Sequence, residues 1–191
     1  SPETCQQLHA EFAGLKGASR QANTASLAQW LVASGRLTRY QAAVLSAGRP
    51  GPFVFGPFVI TERVETGRLA GNYRARFKDG RPVLLVPLSR LTDDARQLPA
   101  LSEAARTAAA IKSPHVSRTY NVVRHRSQTF FVVEALSGRS LDELLAAGGM
   151  PRGTACQIGC QLALALVALH AGKSLHGGIC PQAVWIDEQG T

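Results

Sequence analysis

The stretch Leu175-His176-Gly177-Gly178-Ile179-Cys180-Pro181-Gln182-Ala183-Val184-Trp185 lies near the end of the 191-residue sequence. Its two adjacent glycines allow backbone conformations that a bulky residue would forbid, and a proline follows shortly after them. Val184, Trp185 and Ile186 then form a short apolar run that is typical of a strand. We therefore expect an irregular loop here that leads directly into a short strand.

Two helices are predicted between Gly138 and this loop. Ser140-Leu141-Asp142-Glu143 has the pattern of a capping box and starts the first helix. Pro151 opens a longer helix, and Gly172 closes it. Four apolar residues share one face of the longer helix, namely Ile158, Leu162, Leu166 and Leu169. We expect that face to be partly exposed unless a continuation of the chain or a partner covers it.

Extended segments come before these helices. Residues 53–64, 72–77 and 82–88 read as three strands, and Lys78-Asp79-Gly80-Arg81 provides the hairpin turn between the second and third. An alanine-rich helix is predicted at about 92–111, where Ser113-Pro114 ends it. Residues 116–123 and 129–134 form another hairpin. The predicted order is three strands, one helix and two strands.

The first 48 residues are predicted to form short helices. Leu27, Trp30 and Leu31 make an apolar stripe that ends at Gly35. Thr38-Arg39-Tyr40-Gln41 is a capping box and starts a second helix that runs to Gly48. This helix is expected to bury Tyr40, Val44 and Leu45. Arg49-Pro50-Gly51-Pro52 cannot continue it and is interpreted as a linker.

The composition describes an ordinary globular protein, with 45% hydrophobic and 18% charged residues. The formal net charge of +8 invites a nucleic-acid hypothesis, but the arginines are scattered and no aromatic residues alternate with them. The largest basic cluster, Arg124-His125-Arg126, is expected to be a solvated hairpin turn. We therefore expect no nucleic-acid partner.

No apolar run is long enough to be a membrane span, and no secretory signal opens the sequence. The sequence begins at Ser1, without Met, so we expect it to be part of a longer protein. A membrane anchor elsewhere in that parent protein stays open. The expected location of this segment is the cytoplasm.

Four cysteines do not suggest a disulfide framework in a chain of this length. Cys156 and Cys160 lie four residues apart on a predicted helix, and His176 with Cys180 forms a loose pair in the loop. A Cys–His nucleophile or a metal site would need further groups. We expect small buried thiols in a reducing compartment and no metal.

The order and spacing of these elements resemble a protein-kinase small lobe and the start of its large lobe. His176 and Pro181 match the frame of the H-R-D-x-K-P-x-N catalytic loop. Residues 131–141 resemble a kinase hinge, residues 163–172 the A-L-x-x-L-H-x-x-G helix end, and residues 111–116 the L-x-H-P-x-I-V step. The resemblance implies an α+β fold with a five-stranded antiparallel small lobe, one long helix and a partial helical large lobe.

Residues 30–42 resemble the "L-V-x-x-G-x-L-T-x-Y-Q-A" segment that precedes many bacterial Hanks-type Ser/Thr kinase domains, particularly those of planctomycete type. The resemblance therefore implies a helical leader at 1–48, a linker at 49–53, a small lobe at 54–136 and a truncated large lobe at 137–191. Any D-F-G motif would follow Thr191.

Several chemical groups of an active kinase are missing from this frame. Gly178 stands at the position of the catalytic Asp, Cys180 at the Lys and Ala183 at the metal-binding Asn. Val86 occupies the position of the lysine that grips the α- and β-phosphates. On the following helix, Glu103 lies one residue from the expected place of that lysine's glutamate partner. The catalytic machinery is therefore degenerate in sequence.

The phosphate-binding loop is altered too. Its three glycine positions fall at Glu65, Gly67 and Ala70, and Asn72 replaces the valine that covers adenine. The hinge is identified with Glu134, Ala135 and Leu136. These residues make a vestigial nucleotide site.

The resemblance implies a catalytically inactive pseudokinase domain, a signalling module that binds other proteins or regulates other domains of its parent chain. No cofactor is required in this reading. The alternative is a divergent Ser/Thr kinase domain that still binds ATP and Mg²⁺ with weak or no phosphoryl transfer, using a lysine such as Lys78 or Lys173.

Overall fold

A computed structural model describes residues 2–16, 23–88, 95–125 and 128–190. Helices and strands are mixed along the chain. The helices are α1 (Pro2–Lys16), α2 (Thr24–Ala33), α3 (Arg39–Ser46), α4 (Leu98–Ala110), α5 (Leu141–Ala146) and α6 (Arg152–Ala171). The strands are β1 (Val54–Phe55), β2 (Phe58–Arg63), β3 (Tyr73–Phe77), β4 (Pro82–Pro87), β5 (Thr119–His125), β6 (Gln128–Glu134), β7 (Arg139–Ser140) and β8 (Trp185–Ile186).

Six strands form one antiparallel sheet in the order β1-β2-β3-β4-β6-β5. The sheet is strongly curled, so that its two ends meet. The ring centroid of Phe55, on the edge strand β1, lies 4.8 Å from that of Phe130 on β6 and 5.6 Å from that of His125 on the opposite edge strand β5. The residues inside the curl define the core face and form the main apolar cluster: Phe55, Phe58, Ile60, Ala75, Val83, Leu85, Phe130 and Val132. The opposite face carries Arg74, Leu84 and Val133 in register, and we call it the cleft face.

The sheet differs from the prediction in its first strand. Residues 53–64 were expected to form one strand, but the chain reverses at Gly56-Pro57 and forms the hairpin β1–β2. The sheet therefore has six strands where five were predicted. Gly56 has a φ of +56°, which suits glycine at a tight reversal.

The predicted helix after the third strand is present over a shorter range. It begins at Leu98, after a 3₁₀ turn at Ala95–Gln97, and ends at Ala110 before Ser113-Pro114. The predicted start at residue 92 lies outside the described residues. Residue 126 of the expected Arg124–Arg126 turn also lies outside the described residues, whereas Arg124 and His125 belong to β5 and not to a turn.

The third leader helix, α3, packs on the small sheet, and α2 packs on α3. Helix α3 begins with the predicted capping box, in which the Thr38 hydroxyl accepts from the Gln41 N–H at 3.1 Å and the Gln41 side chain accepts from the Thr38 N–H at 3.0 Å. The Gln41 side-chain amide also donates to the Ile60 carbonyl at 2.7 Å, and Tyr40 packs against the core face. Val44 is buried as predicted, whereas Leu45 is 47% exposed because it points away from the sheet.

The end of the chain forms a second small unit. Strand β7 pairs with β8, and α5 begins at Ser140, whose N–H donates to the Glu143 carboxylate at 3.4 Å. Helix α6 runs from Pro151 to Gly172 as predicted. Gly172, at the end of α6, packs against Ile111, in the segment that follows α4. The approach is so close that a Cβ at Gly172 would lie 2.9 Å from Ile111 Cγ1.

The predicted apolar face of α6 is its packing face. Ile158 and Leu169 are buried, and Leu162 and Leu166 are half-buried. The expected partial exposure of this face is therefore found at Leu162 and Leu166, whereas Ile158 and Leu169 are covered within the chain itself. The exposed apolar side chains lie around the helix from it, at Leu164 and Val167.

By length and composition alone, α6 could cross a membrane: its 20 residues include a window with a mean hydropathy of 1.5, of which 17% is buried. A core helix of a soluble protein passes the same test. The expectation of no membrane segment stays a prediction.

Candidate functional site

The loop at residues 175–185 forms one wall of the candidate site. It is irregular from Gly172 to Cys180, turns once as a 3₁₀ helix at Pro181–Ala183 and enters β8 as predicted. Gly177 has a φ of +69°, in the left-handed region that favours glycine. The Ala183 N–H donates to the Cys180 carbonyl at 2.8 Å and closes the turn.

His176, which matches the histidine of the H-R-D frame, contacts its own loop. It is exposed, and its Nδ1 accepts a long hydrogen bond from the Gly178 N–H at 3.3 Å. The imidazole therefore stabilises its own loop. The His176 imidazole makes this hydrogen bond within its own loop, and it does so from an exposed position.

The cysteines also differ from the prediction. All four are unpaired, and Cys5, Cys156 and Cys160 are exposed where buried thiols were expected. Both helix cysteines lie on the side of α6 that faces away from Ile158 and Leu169. Among the described residues, no group of three or more His, Cys, Asp or Glu side chains could hold a metal ion.

The cleft face forms the opposite wall, and an arginine dominates it. The Arg74 guanidinium donates to the Leu136 carbonyl at 3.3 Å and pairs with the Glu62 carboxylate at 3.3 Å. Val86 is half-buried two residues beyond the buried Leu84 on the same face. The cleft face thus presents aliphatic side chains beside Arg74, whose guanidinium is already paired.

The loop between β2 and β3 is closed on itself. The N–H groups of Ala70, Gly71 and Asn72 donate to the Gly67, Val64 and Leu69 carbonyls at 3.0, 2.6 and 3.1 Å. Glu65 and Gly67 are exposed at its outer end, and the Asn72 side chain is buried. A phosphate-binding loop needs N–H groups that point at the ligand. Three of the N–H groups here are already used.

A second arginine joins this loop to the other wall. The Arg68 Nη1 donates to the Cys180 Sγ at 3.1 Å, and Arg68 Nη2 lies 4.0 Å from the Cβ position of Gly178. This contact links residues 112 positions apart in the chain. Arg68 therefore bridges the cleft at the catalytic-loop positions.

The hinge segment connects the two walls. The Glu134 N–H donates to the Arg118 carbonyl at 2.8 Å, and its carboxylate accepts from the Arg118 N–H at 3.0 Å. Ala135 and Leu136 are half-buried. Gly138 then approaches β8 so closely that a Cβ would lie 2.0 Å from the Ile186 carbonyl oxygen. The Glu134 side chain is therefore used within the sheet.

Glu103 on α4 takes no part in the cleft. Its carboxylate pairs with Arg106 at 2.9 Å, one turn along the same helix, and both side chains are at least 70% exposed. Its surface position agrees with the predicted displacement around the helix.

A cavity of about 380 Å³ lies behind the hinge. Its walls come from segment 108–119, the hinge, α6 and residues 176–187, and none of its lining belongs to β3, β4 or the 64–72 loop. His115 lines this cavity, and its Nδ1 is buried without a hydrogen-bond partner. The cavity shares Leu136 with the contact that Arg74 makes at the hinge.

The chain is 28% identical over 162 residues to CBL-interacting protein kinase 19 of Oryza sativa subsp. japonica. The match covers 81% of this chain and 31% of the rice protein, so the chain spans less than a third of that relative's length. No family model matches the chain. The similarity supports a protein-kinase-like relationship, and the mixed α+β fold with its curled antiparallel sheet is consistent with a kinase small lobe.

Sequence reasoning identified Val86, Gly178, Cys180 and Ala183 but missed Arg68 and Arg74. Strand alternation places Arg74 on the face opposite Tyr73 and Ala75, which was a usable signal. Nothing local in the sequence indicates that Arg68 contacts Cys180.

Proposed function

We propose that this chain is a kinase-like domain that does not transfer phosphate and that acts as a protein-binding or regulatory module. The resemblance assigns the base to Gly178, the phosphate lysine to Cys180 and the metal ligand to Ala183. None of these side chains can accept a hydroxyl proton, carry a positive charge or bind Mg²⁺ in those roles. Loss of such a constellation removes many orders of magnitude in rate.

One observation carries the proposal more than any other. The Arg74 guanidinium donates to the Leu136 carbonyl, which belongs to the hinge that the resemblance assigns to the nucleotide base. Because Glu62 pairs with the same guanidinium, Arg74 is held at this position from two sides. A nucleotide would have to displace an existing ion pair and hydrogen bond before it reached the hinge.

The proposed protein-binding role rests on exposed apolar side chains. Leu164, Val167 and Leu175 are 55%, 66% and 81% exposed. Exposed apolar surface of this kind commonly marks contacts with proteins. The partners in this proposal are other proteins or other domains of the parent chain.

We propose a bacterial, cytoplasmic setting for the module. The leader segment at 30–42 carries the bacterial resemblance. The unpaired cysteines fit a reducing compartment, where disulfides are rare. Mass spectrometry of the intact protein after purification without reductant tests this setting, because disulfide-linked forms in the native cell would contradict it.

A second candidate function is nucleotide binding without efficient transfer. Arg68 supports it, because its guanidinium lies beside Cys180 and Gly178, at the positions that the resemblance places near the γ-phosphate. Guanidinium groups pair with phosphate oxygens in a bidentate manner. In this reading Arg68 would exchange its thiol contact for a phosphate.

Thermal-shift titration with ATP, with and without Mg²⁺, separates the two candidates. We expect no shift for the wild type at millimolar ATP. A ligand at a hundred times its Kd adds about 2.7 kcal/mol, or about 5–10 °C for a chain of this size. A saturable, Mg²⁺-dependent shift of that order would favour the second candidate.

Two variants locate any binding that is found. Arg74→Ala frees the hinge carbonyl. The control Arg76→Ala removes an arginine from the same strand, whose guanidinium donates to the nearby Gly80 carbonyl at 3.2 Å. An ATP shift that appears in Arg74→Ala alone would support occlusion of the hinge. The proposed inactivity would be contradicted if the wild type transferred phosphate from γ-labelled ATP and the Arg68→Ala variant did not.

A further inference from the structure

A second cavity lies on the core face of the sheet, at the end that the leader helices leave open. Its volume is about 310 Å³. Phe58, Val83 and Val132 form a buried apolar floor, while Phe77 and Tyr120 form half-buried aromatic walls. The described leader residues contribute nothing to its lining, whereas Tyr40 packs elsewhere on the same core cluster. One part of this face is therefore covered, and another part stays open.

Three cations surround the aromatic walls. The Arg81 guanidinium lies 5.9 Å from the Phe77 ring centroid and 5.5 Å from that of Tyr120. Arg118 lies 5.5 Å from the Tyr120 centroid, and the Lys78 ammonium lies 5.9 Å from that of Phe77. Stacking on the rings keeps these charges at the edge of the cavity.

The rim carries excess positive charge. Asp79 pairs with Arg81 at 2.7 Å and also accepts the Arg81 backbone N–H at 2.9 Å. Within the described residues, neither Lys78 nor Arg118 pairs with a carboxylate. Asp79 therefore holds Arg81 in place. Lys78 and Arg118 add two positive charges, and the Glu134 carboxylate at the Arg118 backbone N–H adds one negative charge, so the net charge of the rim is positive and favours a negatively charged partner.

We propose that this cavity binds an acidic peptide segment of a partner protein through one aromatic anchor residue. The anchor ring would enter between Phe77 and Tyr120 over the apolar floor, where aromatic pairs are favourable. Flanking carboxylates would meet Lys78 and Arg118. The proposal depends on the protein-binding part of the proposed function and is independent of what the cleft binds, because the core face is the opposite face of the sheet.

The cavity dimensions favour one anchor over an extended groove. Its volume is at the lower end of the range of small-ligand sites, which suits one large side chain. The charges lie at the rim and the floor is apolar, an arrangement that matches an apolar anchor between acidic neighbours. Short recognition segments of this kind bind through few side chains.

Fluorescence anisotropy tests the proposal with a fluorescein-labelled Glu-Asp-Phe-Glu-Asp peptide and the 191-residue chain. We expect saturable binding, at least tenfold weaker binding when the peptide Phe is replaced by Ala, and weaker binding at higher salt. Arg118→Ala should weaken binding at least fivefold. The control Arg124→Ala removes an exposed arginine of β5, for which no contact with the Tyr120 ring is found within the described residues, and it should leave binding unchanged.

Three results would overturn the proposal. They are the absence of saturable binding up to millimolar protein, equal losses for Arg118→Ala and Arg124→Ala, and equal affinity of the Phe and Ala peptides. Tighter binding of a single-stranded oligonucleotide at the same residues would assign the surface to nucleic acid instead. Tyr120→Phe provides a second variant that keeps the ring, and it should retain binding.

The same Arg118→Ala protein should show the wild-type response to ATP. Failure of peptide binding with an unchanged ATP result would therefore remove this proposal and leave the proposed function standing. A Mg²⁺-dependent ATP shift with intact peptide binding would instead favour the nucleotide-binding candidate for the cleft and leave the peptide proposal standing.

Discussion

Replacing Gly138 by Ala should strongly destabilise the unit that carries the catalytic-loop-like segment. Gly138 has a φ of +85°. A Cβ there would lie 2.0 Å from the Ile186 carbonyl oxygen and 2.7 Å from the Asp187 Cα. Both contacts are with backbone, so no side-chain rotation can relieve them. The hinge and β8 would have to separate.

The expected cost combines two effects. An alanine in the left-handed region costs about 1–2 kcal/mol. Separation would also break the β7–β8 pairing, in which Arg139 opposes Ile186 and Ser140 opposes Trp185. Each lost hydrogen bond costs about 0.5–1.5 kcal/mol. With one hydrogen bond lost for each of these two residue pairs, the sum is about 2–5 kcal/mol, which corresponds to a Tm lower by roughly 10 °C for a chain of this size.

Gly177→Ala is the matched control. Gly177 also has a positive φ, +69°, but nothing lies within 4 Å of its Cβ position. Its replacement should cost only the conformational part, about 1–2 kcal/mol. Urea denaturation followed by tryptophan fluorescence measures both variants, and the half-buried Trp185 reports on β8 directly. Equal losses of unfolding free energy in the two variants would refute the close approach at Gly138.

Three further predictions address the leader and α6. Burial raises the pKa of Tyr40 above its ordinary value. The free energy of unfolding should therefore fall as the pH rises past about 10. Urea denaturation at several pH values measures this fall, which should be smaller in Tyr40→Phe. Gln41→Ala should cost about 1–2 kcal/mol and accelerate amide exchange in α3, whereas Gln41→Glu keeps the cap but cannot donate to Ile60 and should cost less. Leu169→Ala removes a buried side chain and should lower the free energy of unfolding by about 2–5 kcal/mol in the same denaturation assay. Leu164→Ala, at an exposed position of the same helix, should lower it by less than about 0.5 kcal/mol.

Local signals in the sequence predicted local structure well. The capping box at Thr38 and Gln41, the Lys78–Arg81 turn and the closure of α6 at Gly172 each depend on residues within one turn of each other. Such patterns leave the backbone few alternatives, because side chain and backbone satisfy each other directly. The order of strands and helices followed from them.

Long-range contacts were not predictable in the same way. Alternation in β3 indicates that Arg74 and Tyr73 lie on opposite faces, but it does not reveal which carbonyl Arg74 reaches. The exposure of Cys156 and Cys160 was missed because helical periodicity assigns residues to a face without saying which face packs. The split of the first strand depended on one Gly-Pro pair inside an otherwise apolar run.

The two bridging arginines suggest how the cleft keeps its shape without a nucleotide. In an active kinase, the phosphate lysine and bound nucleotide with metal connect the small lobe to the catalytic loop. Here Arg68 makes a connection from the β2–β3 loop to Cys180, and Arg74 makes another from β3 to the hinge. Both use a guanidinium, which offers several donors in one plane and stays charged at any physiological pH. Both contacts connect the sheet to the segments below it through protein groups alone. In the proposed function, these two contacts would hold the sheet and the loop in one relative position without a nucleotide, and a surface recognised by a partner would benefit from that constancy.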